Sequence, residues 1–354
     1  MPKKSIPQNH RDLGDFFRSV DLAENRVDIP SAEVFTDDGV ADLERSADAK
    51  DSDVRVRILG TVKKLRHVGG IKPLATVQPD WEHFLDGLEA SHPNFLSFIE
   101  LLRDQFALTT CLGDGRVCLP PVLLDGPPGI GKTDFALTLA VWLRAPLLCL
   151  DMASAQSGAA LAGSDAFWSN SQPGRLFDTL ALGPVANPIV MLDELDKAAV
   201  GGRYSPEAAL YQLLEPKSAA QFRDLSVPQV SLDASHVCWI ATTNDVSVLP
   251  KPIRSRFVEL SIPAPTREQV VRIVHSIYAG LRERRAWGRA MHEELPAEVA
   301  ELLADCTPRA VRVQLERACG KAARRGSNVL SPEDLVVERP ISKQRRGIGF
   351  VGVV

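Results

Sequence analysis

Apolar residues along this chain follow two rhythms that change at definite places. Short unbroken runs recur at VLLD (122–125), LLCLD (147–151), IVMLD (189–193), VCWIAT (237–242) and FVEL (257–260), with helical or loop segments between them. A run that is apolar at every position leaves no face for water, so each reads as a strand buried on both sides. Alternation of such strands with helical stretches predicts an α/β fold, a central parallel five-stranded sheet covered by helices. Upstream, WEHFLDGLEASHPNFLSFIELLRDQFAL places Phe95, Phe98, Ile99 and Leu102 at helical spacing, which predicts a packed helix. After Pro263 the strand rhythm stops, and TREQVVRIVHSIYAGL and PRAVRVQLERACGKAARR predict a small helical domain.

Residues 1–53 are polar and acidic, with apolar residues at no clear period, and predict a partly disordered arm. The stretch VRVRILGTVKKLRHV (54–68) alternates apolar and basic residues at its start and reads as an exposed strand. Such a basic ribbon would be a solvated face, a subunit contact or a nucleic-acid contact. The expected organisation is an acidic arm (1–53), a basic strand-like linker (54–78), a large α/β domain (79–262), a helical lid (263–338) and a tail (339–354).

Composition changes this picture little. The chain has 354 residues, 45% hydrophobic and 24% charged, which is ordinary globular material. A net charge of −4 argues against coating nucleic acid by bulk electrostatics, although Arg309 to Arg346 is rich in Arg and Lys. Six cysteines without a CxxC pair suggest neither a disulfide framework nor a zinc site, and fit a reducing cytoplasm. The longest apolar stretch, Phe135 to Leu143, falls short of the ~20 residues that span a bilayer, so no membrane is expected.

Candidate chemistry begins at GPPGIGKT, the residues Gly126, Pro127, Pro128, Gly129, Ile130, Gly131, Lys132 and Thr133, set between a strand and an apolar helix. This is the P-loop arrangement: backbone N–H groups curl around phosphate oxygens, Lys132 reaches the β- and γ-phosphates, and Thr133 meets Mg2+. ATP and Mg2+ are the expected cofactors. IVMLDELDK ends a strand in Asp193 and Glu194, a Walker B-like pair in which Asp193 acts through the metal and Glu194 orients the attacking water. The next strand ends in Thr242, Thr243 and Asn244, and Asn244 is the candidate sensor of the γ-phosphate. Arg254 and Arg256 follow in LPKPIRSRF, with a neighbouring subunit's phosphate as their natural target.

Together these residues resemble an AAA+ ATPase, and in particular the ATPase module of Lon-type proteases. The resemblance covers roughly 80–325 and rests on GPPGIGKT, LDELDK and ALYQLLEPKSAAQFRDLSVPQVSLDASHVCWIATTN. It implies a homo-oligomeric ring of six, with Arg256 as arginine finger and Arg309 as the sensor 2 arginine of the lid, Arg312 being the alternative one turn on. It also implies that WSNSQPGR carries a substrate pore loop with Trp168 in the aromatic position and Phe167 behind it as a buttress. Core packing is the alternative for both rings, and more so for Phe167 than for Trp168. Tyr204, in VGGRYSP, is a second pore-loop candidate. The family's Ser–Lys protease domain has no counterpart after Ala323, so peptide cleavage is not expected, and the family's N-terminal substrate domain is replaced by an unlike arm. Three functions remain open: an ATP-driven protein remodeller that can feed a separately encoded effector, a nucleic-acid loader or translocase, and a nucleotide-gated assembly switch.

Overall fold

A computed structural model describes residues 30–335 apart from 114, 155, 169 and 199–204. The chain divides into two compact units, one ending at Gln269 and the other beginning at Val270.

The large unit opens with β1 (Ser31–Glu33), α1 (Asp37–Ser46), α2 (Ser52–Val68) and β2 (Ile71–Pro73), and the two strands pair antiparallel. Two expectations are corrected here. Residues 54–68 form a helix: the apolar–basic alternation covers only its first four positions, whereas Ile58, Val62 and Leu65 repeat every three or four residues and pack into the core. Residues 30–53 are no loose arm either, because Val34, Phe35, Val40 and Leu43 are buried in that core. Their elements are too short to show a period, and Asp37 and Asp38, which read as tail-like acidity, are the first turn of α1 behind the cap residue Thr36. The remainder of the predicted arm, 1–29, lies outside the described residues, as does the tail.

Next come α3 (Trp81–Ser91), α4 (Leu96–Leu112), β3 (Val122–Asp125), α5 (Lys132–Leu143), β4 (Leu147–Asp151), α6 (Ser157–Ala162), α7 (Arg175–Ala181) and β5 (Ile189–Asp193). They are followed by α8 (Pro206–Leu213), α9 (Pro216–Ala219), the short pair β6 (Phe222–Arg223) and β7 (Ser231–Leu232), β8 (Cys238–Thr243), α10 (Lys251–Arg254) and β9 (Val258–Ser261). Five strands form the predicted parallel sheet in the order β4-β5-β8-β3-β9.

Successive side chains on a strand face opposite ways, and the sheet therefore feeds two cores. Leu123, Val190, Leu192, Trp239 and Ala241 join the core that holds the N-terminal elements. Val122, Leu124, Ile189, Met191 and Ile240 join the one beneath α3, α4 and α5. In the second core Phe135 of α5 stacks on Phe95 and Phe98, at 4.6 and 5.0 Å between ring centroids. That stack fixes the helix whose first residue is Lys132. Because all five strands run parallel, their carboxyl ends open along one edge, where sheets of this kind bind ligands.

In the small unit, α11 (Arg267–Arg284), α12 (Ala297–Leu302) and α13 (Pro308–Arg324) bury Val274, Leu281, Val299 and Leu315, with no strand among its described residues. No described helix is long and apolar enough to cross a membrane. Phe35→Ala is expected to destabilise the large unit by about 3–5 kcal/mol, read by chemical denaturation. A change within about 0.5 kcal/mol, the range of ordinary surface substitutions, would restore the picture of a loose arm.

Candidate functional site

The P-loop is shaped by glycine at three points. A Cβ on Gly126 would lie 2.2 Å from the carbonyl oxygen of Ile262, so no larger residue fits as the chain leaves β3. Gly129 and Gly131 have φ of +79° and +107°, a region L-residues avoid. Gly131 precedes α5 without a side-chain cap, which leaves the first-turn N–H groups of that helix for an anion. Pro127 and Pro128 are exposed, Ile130 is buried, and Thr133 is exposed on the first turn of α5.

Lys132 is buried, and its Nζ donates to the carbonyl oxygens of Gly126 (2.5 Å) and Thr243 (2.8 Å) and to Asn244 Oδ1 (3.2 Å). Burial lowers its pKa, opposed by the carboxylates of Asp193, Asp125, Asp196 and Glu194. Beside it, Thr242 donates its hydroxyl to Asp193 Oδ1 (2.6 Å) and accepts from the Glu194 N–H (2.9 Å). The Asn244 N–H donates to Asp196 Oδ1 (3.4 Å). Glu194 adopts the left-handed backbone conformation (φ 56°, ψ 50°), rare for this residue type, and pairs with Lys197 at 2.7 Å. The structure thus brings Lys132, Asp193, Glu194 and Asn244 into one network. Thr242 is the connector that sequence reasoning passed over, although its polar hydroxyl at the end of an apolar strand was the available signal.

Four carboxylates around one lysine would repel a polyphosphate entering alone. Thr133 and Asp193 offer the hard oxygen donors that a divalent cation such as Mg2+ takes, and the glycine cradle fits phosphate, so the residues present suit both expected cofactors.

A wall beside the P-loop was missed altogether. The residues His92–Pro93–Asn94–Phe95 join α3 to α4, and His92 sets its ring edge-on to Phe135 at 5.4 Å. The bare Cα of Gly131 faces His92 and Phe95, whose rings a Cβ would meet at 3.8 and 3.9 Å. Asn94 donates through Nδ2 to Pro263 O (3.1 Å), but its Oδ1 is buried with no partner among the described residues. An orphaned buried acceptor costs about 1–3 kcal/mol, so a ligand's N–H group would satisfy it. The polar HPN step inside an aromatic run was the legible clue.

The two candidate finger arginines differ. Arg254 spends its fork on Glu259, with Nε and Nη2 at 2.9 and 2.8 Å from the two carboxylate oxygens. Arg256 lies over the Tyr211 ring, 5.3 Å from its centroid, and donates to the Pro252 carbonyl, with no ion pair among the described residues. In the helical unit, Arg309 is exposed at the second position of α13, and Arg312 is half-buried on the next turn.

Between α6 and α7 the chain makes the loop 163–174. The Phe167 N–H donates to Asp165 Oδ1 (3.0 Å) and the Trp168 N–H to Asp165 O (3.1 Å), a tight turn that throws both rings outward. Phe167 is 84% exposed and Trp168 47%, the rings meeting edge to face at 5.6 Å. Phe167 is therefore displayed and is no buttress, because that turn faces away from the core. Arg203 and Tyr204 lie outside the described residues.

Residues 122–263 match the family model for the ATPase family associated with various cellular activities (AAA). The five-stranded α/β part of the large unit is an AAA-type ATPase domain. It resembles the ATPase module of Lon proteases: Lon protease homolog 2, peroxisomal, of Arabidopsis thaliana is 32% identical over 200 residues, 54% of this chain and 22% of that protein. The homologue of the same name in Oryza sativa subsp. indica is 30% identical over 71% of this chain and 28% of its own length. The Lon protease of Campylobacter concisus (strain 13826) is 28% identical over 74% of this chain and 34% of its own. The chain thus spans about a third or less of the length of these relatives. A solved RuvB mutant of Thermotoga maritima is 19% identical, covering 71% of this chain and 69% of that one with a TM-score of 0.49.

Thr242→Val removes the hydroxyl joining Asp193 to the Glu194 backbone while keeping side-chain shape. If Asp193 holds the metal as expected, ATP turnover should fall about 10–100-fold, the usual cost of removing the group that orients a metal-binding carboxylate, with nucleotide affinity retained. Steady-state hydrolysis and equilibrium nucleotide binding measured together would check it.

Proposed function

We propose that this AAA+ domain hydrolyses ATP and, as a ring of identical copies in the cytoplasm, pulls on a polypeptide gripped by Trp168. The observation that carries the proposal is the display of Phe167 and Trp168 on a braced loop in a domain whose Lys132, Asp193, Glu194 and Asn244 converge at the strand ends. Large rings held out to solvent can wedge against any side chain with little sequence preference.

In this reading the N–H groups of Gly126–Gly131 cradle the phosphates, and Lys132 turns from its carbonyl partners toward the β- and γ-phosphates. Thr133 and Asp193 would hold Mg2+, whose charge would offset that of the phosphates. Glu194 leaves Lys197 to orient and polarise the attacking water, and Asn244 contacts that water or the γ-phosphate. Asn94 Oδ1 accepts from the amino group of the base. Arg256, with no carboxylate partner among the described residues, reaches a neighbouring copy's phosphate, while Arg254 stays on Glu259. Arg309 closes from the lid as sensor 2, with Arg312 as its alternative. On α2 Arg66 pairs with Glu44 and Arg55 with Asp48, which neutralises two of the basic side chains of 54–68 on which the nucleic-acid alternative draws.

Trp168→Ala is expected to keep basal ATPase and abolish substrate-stimulated turnover and remodelling of an unfolded polypeptide; undiminished remodelling would sink the gripping role. Mixing Arg256→Ala chains with Lys132→Ala chains, each inactive alone, is expected to restore part of the ATPase activity, since some interfaces then pair an intact finger with an intact P-loop. Absence of rescue in assembled mixtures would assign Arg256 a structural part instead.

A further inference from the structure

The aromatic loop is bonded at its far end, and closely packed at its near end, to one buried group. Asp224, in the turn after β6, is fully buried. Its Oδ2 accepts from the Gly174 N–H at the loop's far end and its Oδ1 from the Ser226 N–H, both at 2.8 Å. At the near end, a Cβ on Gly163 would lie 2.2 Å from Asp224 Oδ1, and φ there is +79°, so glycine is required twice over.

The rest of the loop lies along the same turn. The Leu225 N–H donates to Ala162 O (2.9 Å) and the Ala166 N–H to Leu225 O (3.0 Å). Buried Ser171 joins the Ser164 carbonyl to the Ser226 hydroxyl, both at 2.8 Å. Leu225 itself is 48% exposed.

We propose that Asp224 is the positioning residue of the aromatic loop, holding Phe167 and Trp168 in their displayed arrangement. Both of its oxygens face N–H donors, and an ionised carboxylate can accept on both. An asparagine of the same shape must turn its NH2 toward one of them, donor against donor. Burial pushes the carboxyl up to about 6 against the pull of those N–H groups, which still leaves it ionised at neutral pH. Its role in work on a substrate rests on the gripping reading above; its role in holding the loop does not.

The test compares the full chain with Asp224→Asn, each with Trp168 and with Trp168→Phe, so that the difference isolates Trp168 fluorescence. Loss of a bond to a charged acceptor is expected to shift the loop's docked–undocked balance by about tenfold or more. Acrylamide quenching of Trp168 then rises, quenching of the other tryptophans holds, basal ATPase is unchanged, and remodelling falls to the Trp168→Ala level. Unchanged Trp168 quenching, or a rise shared by the other tryptophans, would overturn the proposal. If Asp224→Asn fails to fold by circular dichroism, Ser171→Ala decides in the same assay, a selective rise supporting the proposal and no rise overturning it. A selective rise alongside undiminished remodelling by Trp168→Ala would uphold the anchor and reject the grip.

Discussion

Everything at the nucleotide edge depends on a buried ammonium group at the seam between β3 and β8. Lys132 ties the first residue of the P-loop to the last residue of β8 and to Asn244 beyond it, so one cation draws three segments together. Its burial disfavours the charge, and the carboxylates of Asp193, Asp125, Asp196 and Glu194 sustain it. The order of the sheet makes this clasp available, because β8 lies between β3 and β5 and brings Thr242 against Asp193. A phosphate that takes Lys132 from its carbonyl partners therefore acts on the strand that carries the connector between the acidic pair.

Where one face of an element repeats strictly, the sequence was readable. The apolar runs located all five strands to within a residue at each end, because a strand buried on both sides has no other composition open to it; β9 is the exception, an edge strand whose residues are largely exposed, so the expectation of burial on both faces fails there. The P-loop was readable for the same kind of reason, glycine being forced by close approach at Gly126 and by left-handed backbone at Gly129 and Gly131.

The failures share a cause as well. Residues 30–53 and 54–68 bury only a few apolar side chains each, and their surface acids and bases outweigh the spacing of Val40 and Leu43 or of Val62 and Leu65. Phe167 looked like core because aromatics usually are, and only the Asp165 turn, a matter of backbone geometry, turned it outward. Thr242, Asn94 and Asp224 act through what lies beside them in space, 48, 169 and 50 residues away along the chain, which no local spacing reveals. The distinction between Arg254 and Arg256 is of this kind too, since it turns on Glu259 and Tyr211.

The left-handed backbone at Glu194 places an evolutionary tension at the site. Glycine there would relieve the strain and raise local stability, yet it would delete the carboxylate that faces Lys197. Drift toward a more stable fold at this position is drift away from a charged group at the strand tip. Persistence of an acid at 194 across descendants of this chain would record selection for what the carboxylate does, because the backbone by itself favours its loss.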